Sequence, residues 1–252
     1  MTIPIIFEDD SMLIINKPPG MVVNRAQSVK EETIQDWIEK LYPNISNPPN
    51  PPIPSNPSPS PVDYSSPEQI QKEFLSRSGI VHRIDKETSG ILLIAKNPEV
   101  FFALKEQFMN HTIQKTYLAI VHDKMPSSEG EINAPIDRLP WNKEQFGVVP
   151  SGKESITHYQ VLSTYERKSK KGKETYQLVE CYPKTGRTHQ IRVHLKHLGY
   201  PLLGDPLYGI PYPGLMRPAL HAHFLSFSHP RTQEEMAFTS PLPAELACLA
   251  DL

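Results

Sequence analysis

Cysteine is scarce. Only Cys181 and Cys248, far apart among 252 residues, carry a thiol. That excludes a disulfide framework or a cysteine zinc site and points to a reducing, cytoplasmic setting. Excess charge is also missing. The formal net charge is −2, so composition gives no footprint for nucleic acid, and any basic surface must be local. No apolar run approaches the ~18 residues of a membrane span. The start, MTIPIIFEDD, lacks a basic segment followed by an apolar one, so no secretory leader is expected. The glycine loops that cradle phosphates are absent, as is the G-x-S-x-G nucleophile elbow. The ten histidines include the pairs His194/His197 and His221/His223, but none has convincing ligand spacing, and no metal is expected. No internal repeat is visible. What the chain does have is 38% hydrophobic residues, enough for a real core.

Proline breaks the composition. Between Pro43 and Pro67, ten of twenty-five residues are proline. Such a segment cannot supply the backbone donors of a helix or sheet. It reads as an extended, partly disordered surface insertion at 43–67 within one domain covering 1–252.

Around it the pattern alternates. Strands are predicted at 3–9, 12–18, 90–96 and 115–122. ITHYQVLSTYE and TYQLVECYPK form a predicted hairpin with the basic tip 167–173, and LHAHFLSFSH a last strand. A helix through SVKEETIQDWIEKLY carries Ile34, Trp37, Ile38 and Leu41 at helical spacing, with Ser28 and Glu31 as its capping box. In a second helix Asn97 is the cap, Pro98 the first residue, and Val100, Phe101, Leu104 and Phe108 the apolar face. A third, THQIRVHLKHLG, has Thr188 as cap and Gly199 as stop. Hairpins with few helices predict an α+β fold, a mixed and mostly antiparallel central sheet flanked by helices.

Two segments concentrate chemistry. VHRIDKETSG, residues 81–90, places His82, Arg83, Asp85, Lys86 and Glu87 directly before an apolar strand. Asp85 there is either a reagent or a loop anchor. In the third helix Ile191, Leu195 and Leu198 share one face, while His189, Arg192 and Lys196 share another. Arg187, His189 and Arg192 are many polar donors for a helix that enters the core. The free N–H groups ahead of it would favour an anion. Tyr117, in KTYLAIV, reads as a core tyrosine or as a ring that stacks on a flat substrate. NKPPG, residues 16–20, is a rigid turn carrying Lys17.

At this point the motifs resemble a family. HRIDKETSGILLIAK is similar to the signature of the RluA-type RNA pseudouridine synthases, with Ile84 where leucine is more usual. NKPPGMVV, KTYLAIV, TGRTHQIRVHL with GYPLLGDPLYG, and LHAHFLSFSHP with FTSPLP resemble further blocks of that family, in order. Because the first motif begins at Asn16, the resemblance is to a member without an S4 RNA-binding domain.

The resemblance implies the pseudouridine synthase catalytic fold and an isomerase that needs no cofactor. It would turn uridine into pseudouridine in ribosomal or transfer RNA. Asp85 matches the essential aspartate, as nucleophile or as base. Tyr117 matches the tyrosine that packs on the target base, and Arg192 the basic residue paired with the aspartate. Arg83 matches a residue that helps displace the flipped base. His82, Lys17, Arg187 and His189 are the other expected RNA-binding residues. Lys17, Arg83, Lys86, Arg187, Lys196 and the 167–173 tip should gather on one side. The expected partner is RNA alone, with no membrane, no obligate protein partner and a monomeric state. The rival reading is a catalytically silent RNA-binding or ribosome-assembly protein of the same fold.

Overall fold

The structure, a computed structural model, describes residues 2–46, 67–169 and 172–250. Most of the proline-rich stretch, 47–66, and the end of the basic tip, 170–171, lie outside the described residues.

Two compact units emerge from the chain. The first comprises residues 1–86, 91–113 and 226–238; the second comprises 87–90, 114–225 and 239–252.

The first unit begins with strands β1 (Ile5–Glu8) and β2 (Met12–Lys17), an antiparallel pair. Asp9 makes the turn: its Oδ1 accepts from the backbone N–H of Ser11 and Met12, both at 2.7 Å, as short acidic side chains do in turns. Next in the sheet is β3 (Ser89–Ala95), buried along its whole length. Its run SGILLIA therefore reads as continuous apolar sequence rather than alternation.

Helix α1 (Ile34–Leu41) starts later than the pattern predicts. Thr33 is the cap and Asp36 closes the box, so Ser28 and Glu31 lie outside the helix. Two boxes of the same kind compete here, and the one that lets Ile34 and Ile38 reach the core prevails. Gln35 is buried beside them, its Nε2 donating to the Ser76 carbonyl and Ser78 Oγ. Pro43–Ser46 form a short helical turn, α2, and Pro67 opens α3 (Pro67–Arg77). The extended reading of 43–67 thus fails at both described ends. Helix α4 (Pro98–Met109) has the predicted Asn97 cap, with Asn97 Oδ1 accepting from Val100 N–H, and buries Val100, Phe101 and Leu104.

In the second unit the sheet order is β10 (Leu220–Ser228), β4 (Gln114–His122), β9 (Gly172–Pro183), β8 (Ile156–Ser169), β5 (Glu129–Asn133). The pairs β4–β9, β9–β8 and β8–β5 are antiparallel. β10 runs parallel to the start of β3, with His221 opposite Ser89 and Ala222 opposite Gly90. The sheet is therefore mixed and mostly antiparallel, as the sequence predicts. The backbones come very close at that parallel contact. A Cβ on Gly90, at φ +115°, would sit 2.2 Å from the Ala222 carbonyl oxygen, so only glycine fits.

Alternation along β4 divides the core. Leu118 and Ile120 pack into one cluster; Ala119 and Val121 pack into another, with Ile191 and Leu195 of helix α5 (Gln190–His197). A separate two-stranded hairpin, β6 (Ile136–Leu139) with β7 (Asn142–Val148), was not predicted. Nor were β5, β11 (Glu235–Thr239), α3 or α6 (Ala244–Ala247).

Candidate active site

In the first unit Asp85 sits, half-buried, in the loop before β3. The clamp on this loop is Lys17. Its side chain is completely buried, and Nζ donates to the carbonyls of Pro18 at 2.8 Å, Met21 at 3.0 Å and Lys86 at 2.9 Å. Gly20 N–H donates to the same Lys86 carbonyl. Three carbonyl dipoles offset the desolvation of the ammonium. Lys17 therefore binds its own backbone, and the expected place in an exposed basic patch does not fit its burial. The rigid NKPPG turn holds the backbone one residue past Asp85.

His82 also has a structural partner: its Nε2 accepts from Leu93 N–H at 3.0 Å, and its ring stacks on Phe108 at 4.7 Å. Arg83 and Lys86 are exposed, and Lys86 pairs with Glu31.

The residues that follow Asp85 are fixed in the second unit. Ser89 Oγ lies 2.9 Å from Nδ1 of the fully buried His221, whose Nε2 is 3.1 Å from the Ser240 carbonyl. A carbonyl can only accept, so Nε2 carries the hydrogen and Nδ1 accepts from the Ser89 hydroxyl. Arg217, also buried, reaches the Glu87 carbonyl through Nη1 and Glu245 through Nη2. Burial pushes the His221 imidazole down to about 4; neighbouring His223 and Arg217 act in the same direction, against the Ser240 carbonyl and Glu245. The unfolded chain thus binds the proton first as pH falls. Stability supplied by neutral His221 is complete above about pH 6.5 and is lost towards pH 4, on the order of 3 kcal/mol. Urea unfolding at pH 7 and pH 4 should show this loss, and His221→Gln should flatten it.

Tyr117 lies in β4 opposite Cys181, partly exposed, on the face shared with Ala119 and Val121. Helix α5 packs on the same cluster through Ile191 and Leu195. Its cap is His189, in the left-handed region at φ 57°, with no side-chain cap bond; Thr188 is not the cap. Gln190 ties down the approach instead, its Oε1 accepting from Thr185 Oγ1 and Arg187 N–H.

Arg192 is only 4% exposed. Its Nε donates to Asp205 Oδ2 at 2.7 Å and its Nη2 to Oδ1 at 2.9 Å, a bidentate pair. Asp205 Oδ1 also accepts from Leu207 and Tyr208 N–H. The Tyr208 ring lies 4.9 Å from the Arg192 guanidinium, and its hydroxyl is 2.8 Å from His189 Nδ1. Sequence reasoning missed Asp205 because G-D-P reads as a turn; the only signal was an acid in a block that accompanies the arginine. Arg187 is exposed, with Nε on the Glu154 carbonyl. Among the described residues no cluster of three or more His, Cys, Asp or Glu side chains could hold a metal ion.

A family model described as RNA pseudouridylate synthase matches residues 11–197, a span that holds Asp85, Tyr117 and Arg192. The chain belongs to the RNA pseudouridylate synthase family. It is accordingly an isomerase that modifies RNA. An uncharacterized RNA pseudouridine synthase of Bacillus subtilis is 37% identical over all of this chain and 73% of its own length. Ribosomal large subunit pseudouridine synthase D of Nitrosomonas europaea is 36% identical over 97% of this chain, which spans 63% of that protein. The fold is similar to that of human RNA pseudouridylate synthase domain containing 1, with a TM-score of 0.66 and 23% identity over 95% of this chain and 83% of that one. Among the described residues no helix is long and apolar enough to cross a membrane.

Proposed function

We propose that this chain converts specific uridines of ribosomal RNA to pseudouridine, with transfer RNA as the other substrate class. Asp85 is the essential carboxylate, Tyr117 the ring that packs on the target base, and Arg192 the cation paired with the aspartate. Arg83 helps displace the everted base; Arg187 and His189 contribute to RNA binding. The whole chain acts as one catalytic domain, as a cytoplasmic monomer.

The reaction is an isomerisation. The N1–C1′ bond breaks, the uracil turns, and C5 bonds to C1′ while its proton departs and N1 regains one. The carboxylate must be ionised to act as nucleophile or base. Asp205, fixed by two backbone N–H groups, orients Arg192 for this work. A detached uracil must be held until it rebonds, because retention maintains its effective concentration.

The observation that carries the reading is the family match across 11–197 together with those three residues. The ribosomal preference is supported by the names of several relatives, ribosomal large subunit pseudouridine synthase D. A pseudouridine map of total RNA from cells with and without the gene tests it. One or more large-subunit positions should disappear with the gene and return with the wild-type chain but not with Asp85→Ala. An unchanged map would leave the silent RNA-binding reading in its place.

A further inference from the structure

The hairpin of β6 and β7 carries Trp141 at its tip, 79% exposed. An indole is among the most hydrophobic side chains, and leaving it in water forgoes the stabilisation that burial would bring. Its surroundings are polar. Arg138 and Lys143, both exposed, stand three positions before it and two after. The Arg138 guanidinium lies 5.0 Å from the Phe146 ring and donates to the Lys143 carbonyl, so this cation is held along the hairpin.

The root of the hairpin is tied to the neighbourhood of Arg192. Phe146 N–H donates to the Tyr208 hydroxyl at 2.8 Å, and Gln145 Nε2 to the Leu207 carbonyl at 2.9 Å. The Phe146 ring meets His189 edge-on at 5.7 Å. Tyr208 and Leu207 are the residues whose N–H groups hold Asp205. The exposed ring is thus presented by the same framework that orients Arg192.

We propose that Trp141 stacks on an unpaired nucleobase of the substrate RNA, one other than the isomerised uridine, with Arg138 and Lys143 meeting neighbouring phosphates. The proposal rests on the RNA-isomerase reading and gives it a second point of contact. A single ring flanked by cations suits a base and its phosphates. A protein interface needs a contiguous apolar patch, and the chain neighbours Pro140, Asn142 and Lys143 do not make one. Asp137 and Glu144 are exposed on the same hairpin and offset much of the cationic attraction. The ring, rather than charge, therefore supplies most of the binding, and the contact should survive salt better than a phosphate clamp does.

The chain has two tryptophans, so Trp37→Phe leaves Trp141 as the sole indole reporter. In that background, with Asp85→Asn added to prevent turnover, poly(U) should quench the emission and a poly(A)·poly(U) duplex should not. On unmodified large-subunit ribosomal RNA, Trp141→Ala should raise KM by roughly tenfold or more at unchanged kcat, and Trp141→Phe should restore most of it. Absent quenching, equal quenching by duplex, or a wild-type KM in Trp141→Ala would overturn the proposal. So would normal binding of Trp141→Ala to naked RNA combined with lost binding to assembled ribosomal subunits, which would make the tip a protein contact. Quenching reads binding without chemistry. If it persists while no chain forms pseudouridine, the isomerase reading fails and the stacking contact stands.

Discussion

Asp85→Asn is expected to reduce pseudouridine formation by on the order of 10³- to 10⁴-fold, with thermal melting and RNA affinity at wild-type values. Asparagine keeps the shape and removes the charge. Neither attack at C1′ nor removal of a 2′ proton proceeds with a neutral amide of that size. Stability should hold because Asp85 is only half-buried and because the loop is held by others. Lys17 grips the Lys86 carbonyl, while Arg217 and His221 reach Glu87 and Ser89. A single-turnover assay with a melting curve on the same preparation separates the two effects. Full activity in Asp85→Asn would remove the aspartate from the reaction.

The second large effect concerns the buried pair of Arg192 and Asp205. Asp205→Ala leaves a buried guanidinium without its bidentate partner, which typically costs about 3–5 kcal/mol. For a chain of this length that lowers Tm by roughly 10 °C. Catalysis should fall as well, since Arg192 loses its orientation. The double variant Arg192→Met with Asp205→Leu removes both charges, and replacing a buried pair by apolar side chains is often neutral or stabilising. Its melting point should return towards wild type while pseudouridine formation stays lost. Recovery of activity in the double variant would confine the pair to a structural role.

Much of this was legible in the sequence where local chemistry and tertiary packing agree. Helix α4 announces itself because Asn97, Pro98 and the face of Val100, Phe101 and Leu104 all specify the same start and orientation. The start of α1 was not legible, because Ser28–Glu31 and Thr33–Asp36 offer rival boxes and only burial of Ile34 chooses. Helix α3 escaped because PEQIQKEFLSR is mostly polar, with Phe74 the one fully buried side chain among its described residues. The β6–β7 hairpin escaped because its strands are mostly half-buried or exposed and do not alternate.

The proposed site divides along the same line. Asp85, Tyr117 and Arg192 stand in motifs that a sequence displays, whereas their supports do not. A lysine in a turn reads as surface, yet Lys17 is sealed inside on three carbonyls. His221 likewise matters through a partner 132 positions away, and Asp205 through one 13 positions away, relations that no local pattern encodes.

The clamp between Lys17 and Lys86 joins positions 69 apart. Everything between them, proline-rich stretch included, is one closed loop in the polymer sense. Closure entropy grows only with the logarithm of loop length, so adding or removing twenty residues there changes it by about 0.3 kcal/mol. The segment between α2 and α3 can therefore lengthen or shrink over evolutionary time at almost no thermodynamic penalty to the turn that steadies residue 85, and a lineage can vary it freely.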